Sequence, residues 1–167
     1  MASLPRLPIT LVLDSVRRHW QIGALLHLAD AFGVQRVIVC GKRVKRKKRS
    51  FLQASCSSDQ QVPWSEKKSA IRAVAAAKAA GASVVVLQPT TKSVAPEAFT
   101  PDFPVCLVVG SEKRGVAQDI IDLADVGVAS PSLEGASRPT IVNDSAIVLY
   151  WLTRALRPGL RAPEASP

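Results

Sequence analysis

A chain of 167 residues, 47% hydrophobic and 21% charged, carries enough apolar material for one globular domain with a real core. It has no apolar run near the ~20 residues a membrane span requires, and the short apolar stretch in MASLPRLPITLVLD is too brief for a convincing signal peptide. The net charge of +9 is concentrated, because KRVKRKKR at residues 42–49 holds seven cations and no acid, leaving the remainder close to neutral.

In chain order, PITLVLD (8–14) reads as a buried strand. It leads into WQIGALLHLADAFG (20–33), where Ile22, Leu25, Leu26, Ala29 and Phe32 recur at helical spacing and Gly33 ends the run. VQRVIVC (34–40) is the second strand. The basic block and SCSSDQQ form a long connection, with a short strand near residues 61–64. SEKKSAIRAVAAAKAAG (65–81) reads as a helix closed by glycine. SVVVLQ (83–88) and PVCLVVG (104–110) are strands either side of a proline-bearing loop. AQDIIDLAD (117–125) is a short helix, VGVAS (126–130) a strand, and 141–156 a final apolar helix. The expectation is a single domain over 1–158 with a loose tail at 159–167.

Strands that are apolar throughout, each followed by a helix, predict an α/β fold with a mainly parallel sheet flanked by helices on both faces. Ligands in such sheets bind beyond the carboxyl ends of the strands. That directs attention to residues 14–20, 87–91, 110–115 and 130–140. The basic block suits a polyphosphate surface, and Arg17, Arg18 and His19 add charge at another strand end; a solvated loop that merely aids solubility is the alternative. Cys40, Cys56 and Cys106 form no CxxC pair, which favours reduced thiols and a cytoplasmic location over disulfides or a metal site.

Common nucleotide and metal motifs are missing. There is no GxGxxG, no GxxxxGK[ST], no HExxH and no GxSxG. What remains is LVVGSEKRGV (107–116). A glycine ending a central strand lets a ligand approach the backbone, Glu112 can accept from a hydroxyl, and Arg114 can meet a phosphate. A structural turn with a paired glutamate accounts for the same residues.

Taken together, WQIGALLHLADAFGV (20–34), LVVGSEKRGV and VASPSLEGASRPTIVNDSAIVLY (128–150) follow the order of the three motifs of the SpoU, or TrmH-like, RNA methyltransferases of the SPOUT superfamily. SCSSDQQVPW (55–64) resembles that family's connection. The resemblance runs from about residue 8 to 156. It implies a C-terminal trefoil knot, S-adenosyl-L-methionine as cofactor, a homodimer, and methyl transfer to a ribose 2′-hydroxyl of tRNA or rRNA, with no metal and no membrane.

By the same resemblance the cofactor pocket falls at Leu87, Gln88, Val109, Gly110, Glu112, Ser130, Pro131, Leu133, Thr140 and Ile141. RNA contacts fall to Arg17, Arg18, Gln21, Lys113 and Arg114, with Lys45, Arg46, Lys47, Lys48 and Arg49 of the basic block. The first motif usually reads asparagine, glycine and arginine where this chain has Gln21, Gly23 and His27. The third carries Ser-Leu-Asn where this chain has Arg138-Pro139-Thr140. Catalysis is therefore expected of His27, Glu112, Arg138 and Asn143. Histidine as a residue type suits proton transfer at neutral pH, Arg138 replaces the missing cation, and Asn143 or Asp144 replaces the missing asparagine. A paralogue that binds RNA without turnover is the alternative, and a basic scaffold with no cofactor is a third.

Overall fold

The computed structural model describes residues 5–130 and 138–157. The chain builds β1 (Leu7–Asp14), α1 (His19–Ala31), β2 (Val34–Cys40), α2 (Arg49–Ser55), β3 (Trp64–Lys67) and α3 (Ala70–Ala79). It continues with β4 (Ser83–Leu87), β5 (Ser93–Val94), β6 (Val105–Val109), α4 (Gln118–Leu123), β7 (Val126–Val128) and α5 (Ile141–Leu156). The strands form one seven-stranded sheet in the order β3-β2-β1-β6-β4-β7-β5, and every pairing is parallel.

The parallel sheet follows from strands that are apolar on both faces. Along β1, Ile9, Leu11 and Leu13 enter one core with Ile22, Leu25 and Leu26 of α1, Phe51 of α2, and Val148, Leu149 and Leu152 of α5. Val12 enters the opposite core with Val84, Val86, Cys106 and Val108, beneath Val74 and Ala77 of α3 and Ile120 of α4. The period of two sends successive side chains to opposite faces, so each face needs its own helical cover. Burial pushes the Cys40 thiol up to about 11 and the Cys106 thiol up to about 12, which leaves both inert at neutral pH.

Two readings of the middle of the chain are corrected. Residues 49–55, expected in a connection, form α2. Its Phe51 is fully buried, and Gly23 of α1 makes room for it, because a Cβ there would sit 2.6 Å from the Phe51 carbonyl oxygen. No amphipathic repeat is visible in so short a helix; one aromatic anchor and one glycine create it.

The short strand expected near 61–64 lies at 64–67 as β3, so residues 65–67, expected to begin a helix, instead extend the sheet, with Trp64 opposite Val37 and Glu66 opposite Val39. The helix starts only at Ala70, where the Ser69 hydroxyl accepts from the Arg72 amide at 3.4 Å. The trefoil knot expected near the C-terminus turns on the course of 131–137, which lies outside the described residues, as does the tail at 159–167.

Candidate functional site

The central strands β1, β6 and β4 end together, and the turn after β6 is built by its own chain. The Ser111 amide donates to the Gly115 carbonyl at 3.2 Å, and the Gly115 amide donates back to the Ser111 carbonyl at 2.8 Å. The backbone of Gly115 occupies the space a Cβ on Gly110 would need. Gly115 itself has φ +67°, and the Gln88 side-chain amide sits where its Cβ would be.

Gln88 Oε1 accepts from the Val116 amide at 2.7 Å, and Asp14 Oδ2 accepts from the Ala117 amide at 2.9 Å. The glycines therefore serve close packing of the turn on itself and on the ends of β4 and β1. This packing accounts for a glycine at 110 independently of any ligand at its backbone.

This clamped turn separates two clefts. The first, about 430 Å³, opens between Leu87–Pro89 after β4, the turn, Ala129 and Ser130 after β7, and Arg138, Pro139, Ile141 and Asp144 at the start of α5. The second, about 410 Å³, is bounded by Arg17, Arg18 and Gln21 on one side and Ser111–Arg114 on the other. Ser111, Glu112 and Arg114 border both. Glu112 does not swing freely at this boundary, because Gln21 Nε2 donates to Glu112 Oε2 at 2.6 Å. A further cleft of about 450 Å³ runs along α3 by Arg36, Lys67 and Arg72 and shares no residue with these two.

The clefts differ in electrostatics. Among the described residues, the second gathers the cations Arg17, Arg18, Lys113 and Arg114 against the single acid Glu112. The first holds two carboxylates, Glu112 and Asp144, and two guanidiniums, Arg114 and Arg138. Burial holds the Asp144 carboxyl above its usual range, and the Glu112 charge adds to that; Ser130 and Arg138 only partly oppose it. Ser130 Oγ and Asp144 Oδ1 are both buried, and among the described residues neither reaches a partner at hydrogen-bonding distance. Ser130 thus acts on the carboxylate as a nearby dipole, not as a formed bond. Partnerless buried polar atoms facing a cleft are what a polar ligand satisfies.

Leu87, Gln88, Glu112, Ser130 and Ile141 line the first cleft, with Val109 and Gly110 buried at the strand end behind the turn. Thr140 caps α5, its hydroxyl accepting from the Asn143 amide at 3.3 Å. Pro131 and Leu133 lie outside the described residues. Arg138 borders the first cleft, and Arg17, Arg18, Lys113 and Arg114 surround the second. Gln21, expected on the RNA side, is buried with its amide committed to Glu112, so it positions that carboxylate.

Two of the residues assigned to catalysis are not brought to the site. His27 lies on the exposed face of α1, its Nδ1 3.1 Å from Ser58 Oγ, and it lines neither cleft. Six residues along a helix from Gln21 is about 9 Å and well over one turn, which turns the imidazole toward Ser58, beyond α2, and away from the turn after β6. Asn143 is exposed on α5, and its neighbour Asp144 is the side chain that faces the cleft. Sequence reasoning gave no site role to Ser111 or Asp14. A carboxylate closing a strand that meets a glycine-rich turn was the available signal for Asp14.

The basic block lies close to His19 at the start of α1. Beyond the cost of burial, Lys48, Lys42 and Lys45 lower the pKa of His19 at the start of α1, so these cations crowd the helix that carries Arg18 and Gln21. Nor is the block wholly free. Val44 is buried and its amide donates to Glu66 Oε2 at 2.9 Å, while Arg46 stacks 4.1 Å over the Trp64 ring and lies 3.6 Å from Glu66. Lys45, Lys47, Lys48 and Arg49 are exposed.

The chain is thus a parallel α/β protein with a polar cleft beyond its strand ends, where open sheets of this class bind ligands, and a cationic cleft beside it. The sequence pattern of the SpoU rRNA Methylase family matches residues 8–136, and the chain belongs to that family. It is 25% identical over 148 residues to the tRNA (guanosine(18)-2′-O)-methyltransferase of Escherichia coli K12, covering 87% of this chain and 63% of that relative. The chain thus spans less than two-thirds of the length of such relatives.

Among solved structures it superposes with a TM-score of 0.79 on an AdoMet-bound rRNA methyltransferase from Sinorhizobium meliloti, at 22% identity, covering 89% of this chain and 56% of that one. The A. aeolicus TrmH/SpoU tRNA modifying enzyme gives the same score at 22% identity, covering 90% and 76%. These likenesses bear out the expected fold class.

Proposed function

We propose that this chain transfers a methyl group from S-adenosyl-L-methionine to a ribose 2′-hydroxyl of tRNA or rRNA. The observation that carries this reading is Glu112, held by Gln21 on the border between a mixed-charge cleft and a cationic one. The cofactor fits the first cleft. Its volume lies in the range of small-molecule sites, Leu87–Pro89 and Ala129–Ser130 border it, and Ser130 Oγ and Asp144 Oδ1 have no partners among the described residues. When bound, it supplies an electrophilic methyl on a positively charged sulfur.

The chain's own residues do the rest. Arg17, Arg18 and Lys113 hold phosphates flanking the acceptor nucleotide, which positions it without reading its sequence. Glu112 accepts the hydrogen of the acceptor hydroxyl at the boundary, and Gln21 keeps its second oxygen occupied so that the carboxylate faces one way. Arg114, bordering both clefts, supports either phosphate or ligand charge. Reduced thiols and an RNA substrate fit a cytoplasmic location.

Calorimetric titration with S-adenosyl-L-methionine, followed by labelled methyl incorporation into bulk tRNA and rRNA, tests the reading. Saturable binding with incorporation at ribose is the expected result. Binding without incorporation leaves the non-catalytic paralogue, and no binding leaves the scaffold.

His27→Ala is expected to keep transfer within about threefold of wild type, because the imidazole borders neither cleft of its own chain. A loss on the order of 10²-fold in single-turnover assays, the scale of general acid–base catalysis, would place it at the acceptor after all.

The homodimer belongs to the same proposal. Ile147, Tyr150 and Trp151 of α5 stay 39%, 46% and 40% exposed, and Trp20 of α1 is 39% exposed. The three α5 residues share one helical face, and an apolar aromatic face of this kind fits a second copy. Trp151→Glu is expected to shift sedimentation from dimer to monomer at micromolar concentration.

A further inference from the structure

Asp144 stands in the first turn of α5, where an acid ordinarily caps an amide or faces water. Here it does neither. Thr140 does the capping, and Asp144 borders the first cleft with Oδ1 buried and partnerless. Among the described residues, the charges bordering the cleft with it are Glu112 and Arg114 from the turn after β6 and Arg138 ahead of α5. Glu112, Arg114 and Arg138 are all exposed, whereas Asp144 sits deeper, half-buried. Holding an incompletely satisfied carboxylate there has a cost that an incoming cation relieves.

We infer that Asp144 makes the first cleft select a cationic ligand over its neutral counterpart, the sulfonium donor over the thioether left after transfer. The inference rests on the proposed methyl-transfer reading. That reaction removes one positive charge from the ligand, because the bonding pair of the departing methyl stays on sulfur while the acceptor hydroxyl gives up its proton. A carboxylate near that sulfur therefore favours the donor and weakens retention of the product. The preference lies in the charge and not in shape, since the two ligands differ by one methyl group.

Calorimetric titration of wild type and Asp144→Asn with three ligands tests this. They are S-adenosyl-L-methionine, S-adenosylhomocysteine and sinefungin, whose ammonium replaces the sulfonium. Asparagine keeps the shape and removes a poorly compensated buried charge, so the thermal midpoint should hold or rise, which reports on folding separately.

The expected result is about tenfold weaker binding of the two ligands charged at that position, roughly 1.4 kcal/mol, with S-adenosylhomocysteine within about twofold. Equal losses for all three, or none, would overturn the inference while leaving the cofactor reading intact. Wild-type protein that binds none of the three removes the cofactor reading and this inference with it.

Discussion

Glu112→Gln is expected to lower methyl incorporation into RNA by about 10²- to 10⁴-fold, the range a positioned proton acceptor contributes, while cofactor affinity changes by less than tenfold. The substitution keeps the length and planarity of the side chain. What it removes is the charge on the only carboxylate, among the described residues, common to both clefts.

Gln21 Nε2 now donates to Glu112 Oε2 at 2.6 Å. A glutamine at 112 can still accept that bond, but its remaining group becomes a donor and repels a hydroxyl proton. Single-turnover assays at saturating cofactor separate the chemical step from binding. Transfer at the wild-type rate would remove Glu112 from the reaction, and an equal loss of cofactor affinity would make it a binding residue only.

Replacing Lys45, Lys47, Lys48 and Arg49 together by glutamine is expected to weaken RNA binding steeply and to flatten its salt dependence. Each single-strand phosphate contact contributes about 0.7 to the log–log slope, so four lost contacts reduce it by about 3. These four cations are exposed; the neighbouring Arg46 is exposed too, but it is stacked on Trp64 and paired with Glu66. Changing Arg46 alone should instead loosen the anchoring of the block on β3 and leave the slope nearly unchanged. Filter binding across a salt series distinguishes the two. An unaltered slope in the fourfold variant would mean that the block only solvates its loop.

The contrast between Arg46 and its neighbours shows how far the linear chain could be read. KRVKRKKR announces charge, but charge alone does not say which cation has a ring beneath it. Trp64 comes eighteen positions later and reaches Arg46 only because β3 joins the sheet edge. The same limit explains α2 and β3. Phe51 is an isolated aromatic in a polar stretch, with no period to reveal it, and it becomes a core residue because Gly23 leaves space on α1.

His27 and Asn143 were drawn to the site by their places in the motifs. A helix distributes neighbouring positions around its axis, so Gln21 and Asp144 face the clefts while His27 and Asn143 face outward.

By itself, the sequence determined the two-sided parallel sheet, the family motifs and the end of the sheet where the site lies. Apolar runs such as VCLVV can be buried only on both faces, and helices between them require parallel crossovers. Tertiary structure decided which polar groups meet. The pairing of Gln21 with Glu112, the seating of the Gly115–Val116 backbone on Gln88 and the surroundings of Asp144 each depend on residues far apart in the chain. Hydrogen bonds and buried charges act over a few ångströms, and only the folded chain brings such groups that close.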